Sequence, residues 1–211
     1  IEMEDRMTLS ASKTLTPAQK QALIDEGFQS AAGFSSFRFF TNDFASETKG
    51  IDLVASMPLG FIPRGSNDLN VAVNYNKTKV TSFDPNDPNE LLDQVRVTQL
   101  EDNYPNWRGN VAFTHVEDAW RALLRANYYG RFTEMHVNGN LPIHAESQVT
   151  VDLELGLTPW ERLELAVGAE NLLGSKPTRN PWAFIVGSKY PTTTPSGLDN
   201  GLWYLRINYM F

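Results

Sequence analysis

Gly201-Leu202-Trp203-Tyr204-Leu205-Arg206-Ile207-Asn208-Tyr209-Met210-Phe211 is the stretch whose reading decides the fold of this chain. Trp203, Leu205, Ile207, Tyr209 and Phe211 share one parity, and Tyr204, Arg206, Asn208 and Met210 share the other. Successive side chains of extended backbone point to opposite faces, so a period of two marks a strand. This strand has one greasy face.

Working backwards, the same period recurs. Val149, Val151, Leu153, Leu155 and Leu157 oppose Thr150, Asp152, Glu154 and Gly156, and Leu163, Leu165, Val167 and Ala169 oppose Glu164, Ala166, Gly168 and Glu170. Trp120, Ala122, Leu124, Ala126 and Tyr128 alternate with Arg121, Leu123, Arg125, Asn127 and Tyr129, and Trp107 to Thr114 alternates likewise. Leu69-Val71-Val73-Tyr75 and Ile51-Leu53-Ala55-Met57 add two more strands, and Ile1 to Ala11 an eighth, in which Asp5 falls on the apolar parity. The links alternate in length. Short ones lie around Val116-Glu117-Asp118 and Thr158-Pro159-Trp160-Glu161, with a somewhat longer one from Pro58 to Asn67. Long ones span about Ser12 to Ser36, Ser82 to Tyr104, Thr133 to Ser147 and Leu172 to Asn200. In the first of these, Thr16 before Pro17 predicts a short surface helix with Ala22, Leu23 and Phe28 on its weakly apolar side.

Composition narrows the class. The 211 residues are 41% hydrophobic and 20% charged, which makes a folded chain, and no run approaches the 18 or so apolar residues of a membrane-spanning helix. A β-barrel escapes that test because its spanning strands alternate. There is no cysteine, so no disulfide or thiolate chemistry is expected. A net charge of −7 without a basic cluster argues against a nucleic-acid partner. The opening Ile1-Glu2-Met3-Glu4 carries no leader pattern, so any targeting signal is expected upstream or removed.

A soluble sandwich alternates too, so alternation alone does not choose between it and a membrane barrel. Short turns at one end, long loops at the other, apolar runs of the length of a tilted spanning strand, and aromatics near strand ends favour an antiparallel up-and-down transmembrane β-barrel of about eight strands. Trp107 and Trp120 are expected at one membrane interface, and Tyr128, Phe132 and Trp203 at the other. Eight strands return the chain to the short-turn side, which places Phe211 in the periplasm. If the sheet closed at eight strands, its inward charges would need close pairing; a larger barrel relaxes that demand.

Family motifs appear in order along the whole chain. Asp5-Arg6-Met7-Thr8-Leu9-Ser10, then Arg38-Phe39-Phe40-Thr41-Asn42-Asp43 and Thr48-Lys49-Gly50-Ile51-Asp52-Leu53-Val54-Ala55, resemble the late barrel of TonB-dependent receptors. Gly168-Ala169-Glu170-Asn171-Leu172-Leu173-Gly174 is similar to that family's element before the last loop, with Gly174 where Asp is usual, and a tyrosine-containing strand ending in Phe completes the pattern. The resemblance implies that residues 1–211 are the last eight strands of a 22-stranded plugged barrel, with the plug and the TonB-binding box absent. It implies a bacterial outer-membrane transport receptor for siderophore-iron, cobalamin, haem or glycan, with lipid and lipopolysaccharide around it. TonB would engage the upstream region, and the barrel-assembly machinery would read the C-terminal strand through Tyr209 and Phe211. The alternative is a self-contained eight-stranded structural or adhesion barrel.

Carboxylates Asp152, Glu154, Glu164 and Glu170 on neighbouring strands could suggest hydrolysis, which needs two carboxyls on a shared cleft. Ladders with Arg121, Arg125, Arg162 and Arg206 account for them better. His115, His136 and His144 have no metal-ligand spacing, and neither a phosphate loop nor a Gly-x-Ser-x-Gly elbow occurs. No enzyme activity and no cofactor are expected. Surface loops are where ligand contacts concentrate, and Tyr104, Arg131, Arg179, Trp182 and Tyr190 are the candidates there. Asp84, Asp87, Glu90, Asp93, Glu101 and Asp102 read as a solvated acidic loop.

Overall fold

A computed structural model describes residues 1–10, 12–82, 92–136 and 141–211. Eight strands form one antiparallel sheet in chain order. They are β1 (Glu2–Leu9), β2 (Phe40–Pro58), β3 (Ser66–Ser82), β4 (Trp107–Glu117), β5 (Trp120–Tyr129), β6 (Gln148–Trp160), β7 (Leu163–Glu170) and β8 (Leu202–Tyr209). Each pairs only with its sequence neighbours, and Leu205 of the terminal strand stands opposite Val167. The two-residue hairpin between Glu117 and Trp120 turns through Asp118 at φ 43°, the left-handed conformation that such hairpins favour.

Burial separates a membrane barrel from a sandwich. On central strands the apolar residues Val111, Leu124, Leu155 and Val167 expose 45, 48, 46 and 47% of their surface, whereas Thr150 and Glu154 on the other face expose 4 and 6%. A water-soluble sheet would bury the first set and expose the second. Here the greasy face is the outer one, as lipid requires.

The sheet is open. β1 and β8 are its two edges, and they do not pair with each other. β1 also differs from the regular spanning strand expected over Ile1 to Ala11. It pairs only with the far end of β2, from Glu2 opposite Glu47 to Leu9 opposite Phe40, and its register slips twice. Lys49 to Pro58 of β2 therefore has β3 on one side and no described strand on the other.

β2 and β3 run well past the apolar stretches 51–57 and 69–76. Polar alternation carries them on: Thr48 and Thr78 share a 2.9 Å hydroxyl hydrogen bond, and Lys49 stands opposite Lys77. β4 begins at Trp107 opposite Tyr75, so the upper end of β3 loses that neighbour. The gap is filled by α2 (Gln94–Glu101), which alternation did not reveal. Its Glu101 accepts the Val80 amide at 2.8 Å, satisfying one ladder donor of the exposed edge. Leu92, Val97 and Leu100 pack with Phe44 and Val80 in a small core beneath the helix. Asp93, expected in a solvated acidic loop, instead starts α2: its side chain caps the Arg96 amide at 2.7 Å.

The helix expected after Thr16 is present as α1 (Pro17–Asp25), closed by a reciprocal capping box between Thr16 and Gln19. Two small ribbons stand among the long links, Lys13–Thr14 with Ser36–Phe37 and Phe132–Met135 with Pro142–Ala145. A one-turn helix, α3 (Ala183–Val186), sits in the last loop.

Candidate ligand-binding surface

The inner face carries two polar networks. Near the short turns, Arg121 Nη2 lies 2.6 Å from Glu154 Oε1 and 2.9 Å from Glu164 Oε1, and Arg206 lies 3.1 Å from Glu154 Oε1. Tyr204 donates to Glu154 Oε2 at 2.5 Å, and Asn208 donates to Glu164 Oε2 at 3.0 Å. Two glycines leave the room for this. A Cβ at Gly156 would fall 2.8 Å from Arg121 Cγ, and one at Gly168 would overlap the Tyr204 ring. Both side chains lie flat across the sheet because those positions have none. Of the four arginines expected in a charge ladder, Arg121 and Arg206 supply this cluster. Its carboxylates are held by cations and donors, so they hold the sheet's inner face and do not form a free acid/base pair.

Towards the long loops the network is made of amides. Asn74 donates to Asp52 at 2.5 Å, Asn127 donates to Asp152 at 2.8 Å, and Asp152 also accepts the Asn171 amide at 2.9 Å. Asn171 sits at φ 47° and Gly174 at φ 63°, a left-handed turn that ends β7. Asn171 closes it by bonding both polar backbone groups of Ser175, at 2.8 and 2.9 Å. The glycine at 174 suits a backbone that penalises a Cβ.

Above the sheet, three long links are knitted together. Gln99 of α2 donates to Met135 O at 2.8 Å, and the Thr133 amide donates to Asp102 O at 2.9 Å. The buried Glu134 carboxylate accepts the amides and hydroxyls of both Thr192 and Thr193. Trp182 Nε1 donates to Pro142 O at 2.9 Å, and the Glu146 amide donates to Thr178 Oγ1 at 2.9 Å.

The proposed ligand contacts are distributed as follows. Tyr104 is exposed and lines a cavity of about 250 Å³ on the inner face, with Asn74, Asn76, Asn103, Asn106 and Arg108. Arg131 is exposed and pairs with exposed Glu146 at 2.9 Å, and Arg179 is exposed on the last loop. Trp182 is occupied by its bond to Pro142, and Tyr190 is buried with the Lys189 ammonium 5.3 Å from its ring. The asparagines of the cavity escaped sequence reading because they lie on β3 and on the 103–106 connection, far apart in the chain. Phe184 and Ile185 also went unremarked, and both stand exposed on α3.

Among the rim aromatics, Trp107 opens β4 at the loop end beside Tyr75, with ring centroids 4.7 Å apart, and Tyr128 and Trp203 lie at that end too. Trp120 opens β5 at the turn end, where it packs on His115 at 4.6 Å. Trp107 and Trp120 thus belong to opposite rims, because antiparallel neighbours start at opposite ends. Phe132 lies beyond the sheet, in the ribbon with Ala145. Tyr209 and Phe211 end the chain on the turn side, edge to face at 5.2 Å. Among the described residues no group of three or more His, Asp or Glu side chains could hold a metal ion. Of the acidic loop, Asp84, Asp87 and Glu90 lie outside the described residues.

The family model of the TonB dependent receptor-like β-barrel matches residues 18–172, most of the chain. This chain belongs to that family. Solved structures agree on the fold: the copper transporter OprC superposes with a TM-score of 0.60 at 13% identity over 100% of this chain and 27% of its own. The outer membrane transporter YddB from Escherichia coli gives 0.59 at 12% identity, over 100% and 29%. The ferric yersiniabactin uptake receptor FyuA from Yersinia pestis gives 0.46 at 21% identity, over 64% and 20%. The chain thus spans less than a third of the length of each. The comparison with curated proteins gives no match.

Proposed function

We propose that this chain is the closing third of the barrel of a bacterial outer-membrane receptor that captures a scarce nutrient at its surface loops. The nutrient then enters the periplasm when a plug, carried on the upstream part of the protein, rearranges under force from the TonB complex. The observation that carries this reading is the open sheet with its greasy face outward. In hydrocarbon an unpaired strand edge costs several kcal/mol per orphaned backbone group. The free side of Lys49 to Pro58 and the outer edge of β8 therefore call for further strands of a larger barrel. That requirement also disfavours the self-contained eight-stranded barrel.

In this reading the outward apolar face meets lipid and lipopolysaccharide, Phe211 lies in the periplasm, and the terminal strand is the one presented to the barrel-assembly machinery. No covalent step is involved. The test is an in-frame deletion of the full gene, followed by growth under limitation for iron, cobalamin, haem or glycan. Loss of growth on one nutrient, reproduced by loss of TonB, supports the reading; unaltered growth on all of them overturns it.

A further inference from the structure

The cavity beneath α2 has a composition that an ordinary barrel wall does not need. Asn74, Asn76 and Thr78 of β3 face Asn103, Tyr104, Pro105 and Asn106 of the connection into β4, with Arg108 and Glu101 at the sides. Some of this capacity is spent: Thr78 bonds Thr48, Asn74 bonds Asp52, and Glu101 accepts from Val80. The carboxamides of Asn76 and Asn106 and the guanidinium of Arg108 make no hydrogen bond to a described residue. Asn103 Oδ1 is buried and has no partner among the described residues. A buried acceptor without a donor is uncommon and costly, so a donor from outside the chain would relieve it.

We propose that this cavity is a subsite for an uncharged, hydroxyl-rich ring, one sugar unit of a glycan ligand; the proposal rests on the uptake reading above. A carboxamide donates and accepts from one side chain, which matches a hydroxyl group that does the same. Arg108 and Glu101 contribute opposite charges, so the cavity has no net charge with which to select an anionic chelate. No metal-holding group of His, Asp and Glu is present among the described residues. The cavity volume of about 250 Å³ is below that of a pocket for a whole drug-sized ligand, which suits a single ring and not a haem or a cobalamin. Tyr104, half exposed at the rim, offers a flat face to the less polar side of such a ring. Because the cavity opens on the inner face, its sugar comes from the transported ligand and not from the lipopolysaccharide outside.

The test uses the full-length receptor in detergent, titrated with maltohexaose, cellohexaose, xylohexaose and mannohexaose, and in parallel with ferric citrate, haemin and cyanocobalamin. The expected result is saturable binding of at least one oligosaccharide. Asn76→Ala and Asn103→Ala should each weaken it about tenfold, the effect of removing one hydrogen-bonding side chain from a buried polar site. Asn70→Ala, near the turn end and bonded to Ser56, should leave it unchanged. Heat-modifiable gel mobility confirms that each variant is folded, and Asn103→Ser replaces any variant that is not. Binding of no oligosaccharide, or oligosaccharide binding indifferent to positions 76 and 103, overturns the subsite. Binding of ferric citrate, haemin or cyanocobalamin alone overturns the sugar assignment and leaves the uptake reading standing. Unaltered growth of the gene-deletion strain on every nutrient overturns the uptake reading itself.

Discussion

Thr193 is tied to Glu134 twice, through its amide at 2.7 Å and its hydroxyl at 2.6 Å, both donated to the same carboxylate oxygen. Thr192 repeats the arrangement, with its amide at 3.0 Å to Oε1 and its hydroxyl at 3.2 Å to Oε2. A carboxylate as buried as Glu134 needs such donors, since a buried charge is tolerated only when paired or hydrogen-bonded. One side chain on a four-residue strand thereby fixes the middle of the last long loop.

Replacing Glu134 with Ala should free that loop. Charge-assisted hydrogen bonds are lost and two backbone donors are left without partners, which costs about 3 kcal/mol locally. Hydrogen exchange is the measurement: amide protection at Thr192 and Thr193 should fall by two orders of magnitude while the strands β5 to β7 keep theirs. Unchanged protection at those two residues would show that the clasp does not hold the loop.

Gly168→Ala should weaken the sheet from within. The added methyl would overlap the Tyr204 ring and push it off Glu154, loosening the Arg121–Glu154–Arg206 cluster. Overpacking of this kind costs about 1–3 kcal/mol. The temperature at which the folded gel band converts should drop for Gly168→Ala and stay put for Gly33→Ala, where a Cβ meets nothing within 4 Å.

Leu155 and Phe184 are both exposed, yet arginine should be tolerated at only one of them. Leu155 lies mid-strand on the outward face, where a cation near the centre of a bilayer costs about 2–4 kcal/mol. Phe184 lies on a loop, where a surface change falls within about 0.5 kcal/mol. Folding yield into lipid vesicles separates them: Leu155→Arg should fold poorly and Phe184→Arg like the parent. Equal yields would contradict a lipid-facing β6.

Deleting Phe211 should leave the loop surface intact and impair insertion in cells if, as proposed above, the terminal aromatic belongs to the strand presented for assembly. The amount of full-length receptor in isolated outer membranes is the readout, with Asp199→Asn in the last loop as a comparison. Normal amounts of the deletion variant would remove the assembly role from this residue.

Most of the architecture was legible in the chain alone. Alternation at Trp203 to Phe211 and its repeats specified seven spanning strands and their order, because a period of two commits each residue to a face and short links force neighbours to pair. Thr16-Pro17 announced α1 because capping is local chemistry. Tertiary structure decided what depends on residues far apart. It set the apolar face as the exposed one, since a sandwich shares the same alternation. It moved Ile1 to Leu9 onto the far end of β2, and it put Trp107 and Trp120 on opposite rims, because register fixes where each strand begins. It also gathered Asn76, Asn103 and Asn106 into one cavity and bound Glu134 to Thr192 and Thr193. Those groupings arise from strand register and loop packing, and no local pattern in the sequence encodes them.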